Sequence, residues 1–453
     1  MPTEVAALRA AATAGVPVAA VVADATDGGA LGAPAFVVER LAGETIARKL
    51  LRDDAYAAAR ARMAEDCGRA LAAIHRIPGA EVPGLAPSDP VGSMRSVLDG
   101  IGEAHPAFEL GLRWLELHRP AASTPEPVVV HGDFRTGNLI VDGDGLAAVL
   151  DWELAHLGDP LEDLGWFCVR AWRFGNVDQP AGGFGSREEL WAAYEEAGGV
   201  AVDPDAARWW ELYGTLRWGV ICVVQAASHR LGLARSMELA AIGRRTCENE
   251  HDVLALLPGG PMPPATDVSP VDAFAPHDRP SAAELAEAVR EWVEGDVAEA
   301  TTGRVRFHTR VASNVLAVIE RELRLGPAHA AAHAGRLEAL GMSDDAALAS
   351  SIRAGELDDR FDEVRAAVWG SVRDKLAVAH PGYDDLMPWP AGQYPASMRI
   401  GILGGTGPAG LALAARLSSV GFETIVGSRS KYRAMEAVDT LLGRWPARAL
   451  RIA

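Results

Sequence analysis

At 453 residues, 49% of them hydrophobic, the chain has room for two or three domains with real cores. A formal net charge of -18, with no basic stripe, disfavours nucleic acid as a partner. Cys67, Cys168, Cys222 and Cys247 form no C-x-x-C pair, which argues against a zinc site or a disulfide framework. The Ala-rich, acidic N-terminus lacks the basic start and apolar block of a signal peptide. Trp218 to Val224, the most apolar helical run, is far too short for the roughly 20 residues a bilayer needs. A cytoplasmic protein without a membrane span is expected.

In chain order, residues 1–33 carry a helical pattern on Val5, Leu8 and Ala12, then Val16-Pro17-Val18 and a turn at Gly28-Gly29. Ala35 to Gly43 reads as a strand leaving into a linker. Residues 53–78 predict one amphipathic helix with Met63, Cys67, Leu71 and Ile74 on a stripe, closed by Pro78, with His75 as a structural histidine at its end. Residues 105–118 predict a second, carrying Trp114 and Leu115. Pro127 to Val130 is a short β-branched run, expected as a buried strand that delivers His131-Gly132-Asp133 onto a loop. Leu139-Ile140-Val141 and Leu146 to Leu150 flank Asp142-Gly143-Asp144-Gly145, a strong hairpin signal.

Antiparallel pairing from that turn places Asn138 and Asp151 together at the open end. An amide oxygen and a carboxylate there can share a hard cation, and magnesium prefers such ligands supplemented by phosphate and water. Asp133, five residues before Asn138, lies on the same rim. An Asp, an Asn five residues on and a following Asp is the order of base and metal ligands in protein kinases, with Gly132 here in place of the kinase Arg. His-Gly-Asp with Asn138, and then Asp151-Trp152-Glu153, resembles the aminoglycoside phosphotransferase family. The likeness is greatest to its branch related to the kinase-like domain of acyl-CoA dehydrogenase fusions.

The resemblance implies a kinase-like C-lobe in which Asp133 accepts a proton from a substrate hydroxyl, while Asn138 and Asp151 hold magnesium on the phosphates of ATP. It places the hinge that meets adenine at Glu39, Arg40 and Leu41. It also places a Gly-rich loop and a strand Lys upstream of the first helix, where this chain has neither. Glu4 falls where the pairing Glu belongs, Lys49 follows the hinge, and Gly28, Gly29 and Gly32 follow the helix and read as a strand connection. Either the true start lies upstream, or the domain no longer transfers phosphate. Arg135, in the loop itself, suits stabilisation of charge on a transferring phosphoryl group, or equally an ion pair with a nearby surface carboxylate.

Downstream, Asp159, Pro160 and Glu162 predict a capped helix start with a capping box, and the acids there read as structural. His131 and His156 are weaker candidates for substrate contact. Helices over 187–256 finish this domain, residues 1–257, with an incomplete N-lobe. Trp209, Trp210, Leu216 and Trp218 are expected core anchors that wall the substrate cleft from one side. Residues 258–280 are a Pro-rich linker. Residues 281–380 predict a small helical bundle on three apolar stripes: Leu285, Val289, Val293; Val311, Val315, Val318, Ile319, Leu323; and Val364, Val368, Val372, Leu376. It resembles an uncharacterised helical domain found beside these phosphotransferases, most recognisably at Arg306 to Asn314. His308, Arg310 and Asn314 are expected to satisfy one another inside the bundle.

After a linker over 381–397, residues 398–453 read as an incomplete Rossmann βαβ unit. Gly405, Gly407 and Gly410 fit the G-x-G-x-x-G fingerprint between a strand and an apolar helix. After the next strand, Ser428, Arg429 and Lys431 suit the extra phosphate of NADP, with no acid for a ribose hydroxyl. This stretch resembles the start of NADP reductases that use a deazaflavin coenzyme. The fold class is therefore multidomain, α/β and α. The leading function is ATP- and magnesium-dependent phosphoryl transfer to a hydroxyl of a small molecule, with a hydroxyacyl thioester, an aminoglycoside or an amino alcohol as acceptor. The alternatives are an NADP-dependent oxidoreductase, or a non-catalytic fusion whose helical unit docks a protein partner or a second copy.

Overall fold

The computed structural model describes residues 1–29, 32–266, 279–384, 399–403, 423–427 and 450–452. Met1–Met387 forms one compact unit and Pro388–Ala453 a second.

The first unit opens with α1 (Pro2–Thr13), which buries Val5, Ala7, Leu8, Ala10 and Ala11. The antiparallel pair β1 (Val21–Ala25) and β2 (Ala35–Val38) follows. A short α2 (Ala47–Arg52) comes next, and Arg60 turns back to donate to the carbonyls of Leu50 and Asp53, at 2.6 and 3.1 Å, satisfying groups that its end leaves open. The single helix expected over 53–78 is instead broken after Arg60: α3 (Ala57–Arg60) and α4 (Met63–His75) are separate. The Met63, Cys67, Leu71 and Ile74 stripe is nevertheless fully buried. Two further helices, α5 (Pro90–Ile101) and α6 (Pro106–Leu117), each start with Pro at the first helical position.

Four short strands then frame the candidate site. β3 (Val128–Val130) pairs antiparallel with β6 (His156–Gly158), and β4 (Leu139–Val141) with β5 (Leu146–Val149). The turn of the second pair closes as the sequence demands: Asp142 Oδ1 accepts from the N–H groups of Asp144 and Gly145 at 2.8 and 3.1 Å. α7 (Leu161–Cys168), α8 (Arg187–Glu196), α9 (Pro204–Arg230), α10 (Met237–Gly243) and α11 (Thr246–Leu256) complete this part. Asp159 does cap α7, its Oδ1 accepting the Leu161 N–H at 2.9 Å. The expected capping box does not form, because the Glu162 carboxylate meets His156 Nε2 at 3.2 Å instead.

Residues 281–384 fold as α12 (Ala282–Trp292), α13 (Ala298–Ala300), α14 (Gly303–Leu340), α15 (Asp345–Ala354) and α16 (Phe361–Ala379). The α16 stripe is buried as expected. The first stripe is buried only at Val293, just past α12: Leu285 and Val289 are 54% and 47% exposed, and α12 itself buries Ala283 and Ala286. Between α12 and α14 lie the ion pairs Arg290–Glu320, at 3.2 Å, and Arg324–Glu287, at 2.9 Å, so small residues and charges make this contact. On α14, Val311, Val315 and Val318 are half-buried while Ile319 and Leu323 are exposed. His308, Arg310 and Asn314 do not satisfy one another either. His308 Nε2 meets Glu238 of α10 at 2.8 Å, and Arg310 and Asn314 are exposed. Leu337, Leu340, Leu348, Ile352, Val364, Val368 and Trp369 share one core with Leu112, Leu115, Val253 and Leu254. Of the linker, Gly260 O accepts from Arg365 at 2.8 Å, and residues 267–278 lie outside the described residues.

In the second unit, β7 (Arg399–Leu403), β8 (Glu423–Gly427) and β9 (Leu450–Ile452) run parallel in that order. Gly405, Gly407, Gly410, Ser428, Arg429 and Lys431 lie outside the described residues.

Candidate functional site

The loop after β3 is held by its backbone before any side chain acts. Gly132 has φ +77, and a Cβ there would stand 2.4 Å from Leu154 O, so only glycine fits. Asp163 of α7, fully buried, accepts the N–H groups of His131 and Gly132 at 2.7 and 2.9 Å. His75 Nε2 also meets Asp163 Oδ2 at 3.1 Å, with Tyr194 on its other nitrogen at 3.0 Å, so His75 is structural, as its place at the end of α4 suggests. Burial raises the Asp163 carboxyl, but His75, with its hydrogen bond and charge, and then His131 outweigh this and hold it below the usual range.

His131 is buried and therefore does not meet substrate. Its Nδ1 accepts the Asp133 N–H at 3.2 Å and its Nε2 faces Leu150 O at 3.0 Å. Nδ1 as acceptor makes Nε2 the protonated nitrogen of a neutral ring. Burial pushes its pKa down, consistent with that tautomer. The ring thereby ties the loop to the last residue before Asp151.

Asp133, 9% exposed, receives donors on both oxygens. Asn138 Nδ2 donates to Oδ2 at 2.7 Å and Trp166 Nε1 to Oδ1 at 2.9 Å, while Arg135 Nε lies 3.1 and 3.2 Å from the two. Arg135 thus pairs with Asp133 itself, and its guanidinium lies over the Trp172 ring, 5.0 Å from the centroid. Trp166 and Trp172, with Val169, form a small aromatic cluster that Trp218 and Ile221 of α9 join.

The Asn138 amide nitrogen is spent on Asp133, which leaves Oδ1 as the atom able to meet a cation. Leu150 N–H donates to Asn138 O at 2.8 Å, bringing Asp151 to the residue beyond that pair. Asp151 is exposed at φ +66, a strained conformation for a non-glycine residue and one that clusters at functional sites. Among the described residues no group of three or more His, Cys, Asp or Glu could hold a metal, so further ligands for a cation on this pair would come from phosphate and water. Glu4 of α1 is brought near enough to feel Asp151 and Glu153: burial raises its pKa, the N-terminal amine opposes this, and the two acids add to the rise. Of the residues expected at the hinge, Glu39 and Arg40 are exposed and Leu41 half-buried, and the Glu39 N–H donates to Ala20 O at 2.8 Å.

Residues 1–200 match the model of the phosphotransferase enzyme family. The first part of the chain is thus similar to that family. Residues 299–383 match a second model, a domain of unknown function (DUF6285). Over 66 residues the chain is 46% identical to acyl-CoA dehydrogenase family member 10 of Mus musculus, spanning 14% of this chain and 6% of that protein. Over 105 residues it is 33% identical to acyl-CoA dehydrogenase family member 11 of Pongo abelii, spanning 21% and 13%. The chain thus covers only a small part of either relative. A solved structure from Ralstonia eutropha, described as an aminoglycoside phosphotransferase, aligns over 55% of this chain and 80% of its own, at 24% identity and a TM-score of 0.47. No described helix is long and apolar enough to cross a membrane.

The loop after β3 and the β4–β5 hairpin thus bring Asp133, Arg135 and Asn138 into contact, with Asp151 beside them. Sequence reasoning missed Trp166, on Asp133, and Trp172, beneath Arg135, as parts of this site. Only Trp166 left a local signal, standing three residues after Asp163 and so on the same helix face.

Proposed function

We propose that the phosphotransferase-family domain transfers the γ-phosphoryl group of ATP to a hydroxyl of a small molecule. The observation that carries this reading is Asp133, a nearly buried carboxylate whose oxygens are oriented by Asn138 and Trp166. Asp133 accepts the acceptor's hydroxyl proton as the new P–O bond forms. Asn138 Oδ1 and the Asp151 carboxylate, both hard oxygen donors, suit magnesium. When bound, magnesium neutralises charge on the phosphates. Arg135 offers its guanidinium to the charge that gathers during transfer, and Glu39, Arg40 and Leu41 offer main-chain groups to adenine.

The test is ADP release with magnesium and ATP across a panel of hydroxyacyl thioesters, amino alcohols and aminoglycosides. Turnover that Asp133→Asn and Asp151→Ala both abolish is expected. Turnover that survives Asp133→Asn, or a melting temperature that magnesium and ATP leave unchanged, would overturn the reading.

A second reading rests on the parallel order of β7, β8 and β9, which is that of a nucleotide-binding βαβ unit. On it, Gly405, Gly407, Gly410, Ser428, Arg429 and Lys431 hold NADP. NADPH fluorescence that does not change on titration with the chain would end it.

A further inference from the structure

The carboxylate of Asp133 is gripped from outside its own loop. Trp166, 2% exposed, donates Nε1–H to Oδ1 at 2.9 Å. The Arg217 guanidinium of α9 lies over the Trp166 ring, 4.7 Å from its centroid, and donates to Gly132 O at 2.8 Å. Glu162 of α7 stands 3.7 Å from the same Arg217 nitrogen. Two helices thus converge on one residue and the carbonyl before it.

We propose that Trp166 and Arg217 are positioning residues for Asp133: the indole sets the plane of the carboxylate, and Arg217 holds the indole and the loop backbone together. This rests on reading Asp133 as the base. With Asn138 on one oxygen and Trp166 on the other, rotating the carboxylate breaks two charge-assisted hydrogen bonds. A lone pair therefore stays aimed while the proton is taken. A packing role alone would not require the hydrogen bond. The buried indoles of Trp114, Trp172, Trp191, Trp210 and Trp369 leave Nε1 without a partner, and those of Trp152 and Trp209 donate to backbone carbonyls, whereas Trp166 gives its donor to a carboxylate.

The experiment is Trp166→Phe, which keeps a ring and removes the donor, beside Arg217→Lys, which keeps the charge and loses the flat guanidinium. Trp166→Phe is expected to lower kcat about 10- to 100-fold, the worth of one hydrogen bond to a charged group. KM for ATP and acceptor should stay unchanged. Arg217→Lys should fall between this variant and wild type. The indole N–H resonance that Trp166→Phe deletes should also move in Asp133→Asn. A kcat that Trp166→Phe leaves alone, or an indole resonance indifferent to Asp133→Asn, would overturn the proposal. Turnover that survives Asp133→Asn would instead overturn the base assignment beneath it.

Discussion

A buried histidine with one acceptor and one donor nitrogen in use cannot gain a proton without losing a bond, and His131 is in that position. Protonating Nδ1 would set it against the Asp133 N–H that it now accepts. Burial, the largest influence on the ring, acts in the same direction and lowers its pKa. A histidine depressed in the folded state leaves the unfolded chain binding more protons, so its contribution to stability is lost as pH falls below the unfolded value, about 6.5. Wild type is therefore expected to lose up to about 1.4 kcal/mol per pH unit through this group as pH drops from about 6.5. His131→Asn, whose amide oxygen can take the place of Nδ1, should flatten that slope. Urea unfolding from pH 7 to 5 measures it, and equal slopes would sink the idea. His156 works oppositely: burial lowers its pKa, but the Glu162 hydrogen bond and charge raise it on balance, so the comparison with His131→Asn is what isolates the buried ring. Arg135 makes a different residue-level demand. Its guanidinium, now on Asp133 and Trp172, is close to where transferring charge would gather. Arg135→Gln is expected to cost about 100-fold in kcat, the scale of one charge-stabilising donor, with the melting temperature nearly unmoved.

The helices around the site cross backbone to backbone where glycine permits it. A Cβ on Gly165 of α7 would stand 2.5 Å from Trp210 C and 2.7 Å from Glu211 N on α9. Gly165→Ala must therefore push the two helices apart, at about 1 to 3 kcal/mol, and draw its neighbour Trp166 away from Asp133. Gly335, mid-helix on α14 with nothing near its missing Cβ, should behave oppositely, Gly335→Ala gaining about 0.5 to 1 kcal/mol. Thermal unfolding of the two variants compares them directly. Equal shifts would mean that the α7–α9 crossing is looser than its geometry. Such crossings also mark how far the sequence could be read. The strand, loop and hairpin from Val128 to Asp151 were legible because their signals are local: a β-branched run, turn residues, and ligand types at fixed spacing. Asp163, Trp166 and Arg217 reach the loop from 31 to 85 residues away, and nothing near them in the sequence announces that partner. Likewise Leu285 and Val289 have helical spacing, which fixes their side of α12 but not whether anything covers it. Small alanines made the contact with α14 instead.

Across the whole first unit, the stretch matching the domain of unknown function is joined to the phosphotransferase-family part by buried charge as well as by core packing. Some of these ties are exposed and worth little, such as Arg353 to Asp99 at 2.8 Å. Glu250 of α11 is different, being 1% exposed with Lys375 of α16 at 2.9 Å and His105 at 3.0 Å. Burial alone would raise its pKa, but the Lys375 charge and the His105 hydrogen bond overcome this and hold it at about 2. A carboxylate depressed in the folded state contributes stability that is complete above its unfolded pKa, about 4.5, and is lost as pH falls toward the folded value. Because the acid sits on α11, between the two matched stretches, and the cation on α16, within the second, that loss is also a loosening of α16 from α11. Wild type is expected to lose on the order of 2 kcal/mol through this group between pH about 4.5 and about 2, the half-exposed Lys375 keeping the figure below the full shift. Glu250→Gln should be less stable at pH 7, since it leaves Lys375 and His105 without their carboxylate. It should then show a flatter acid limb. Urea unfolding at a series of pH values tests this, and an acid limb equally steep in wild type and Glu250→Gln would show that the attachment of α16 to α11 does not depend on this charge.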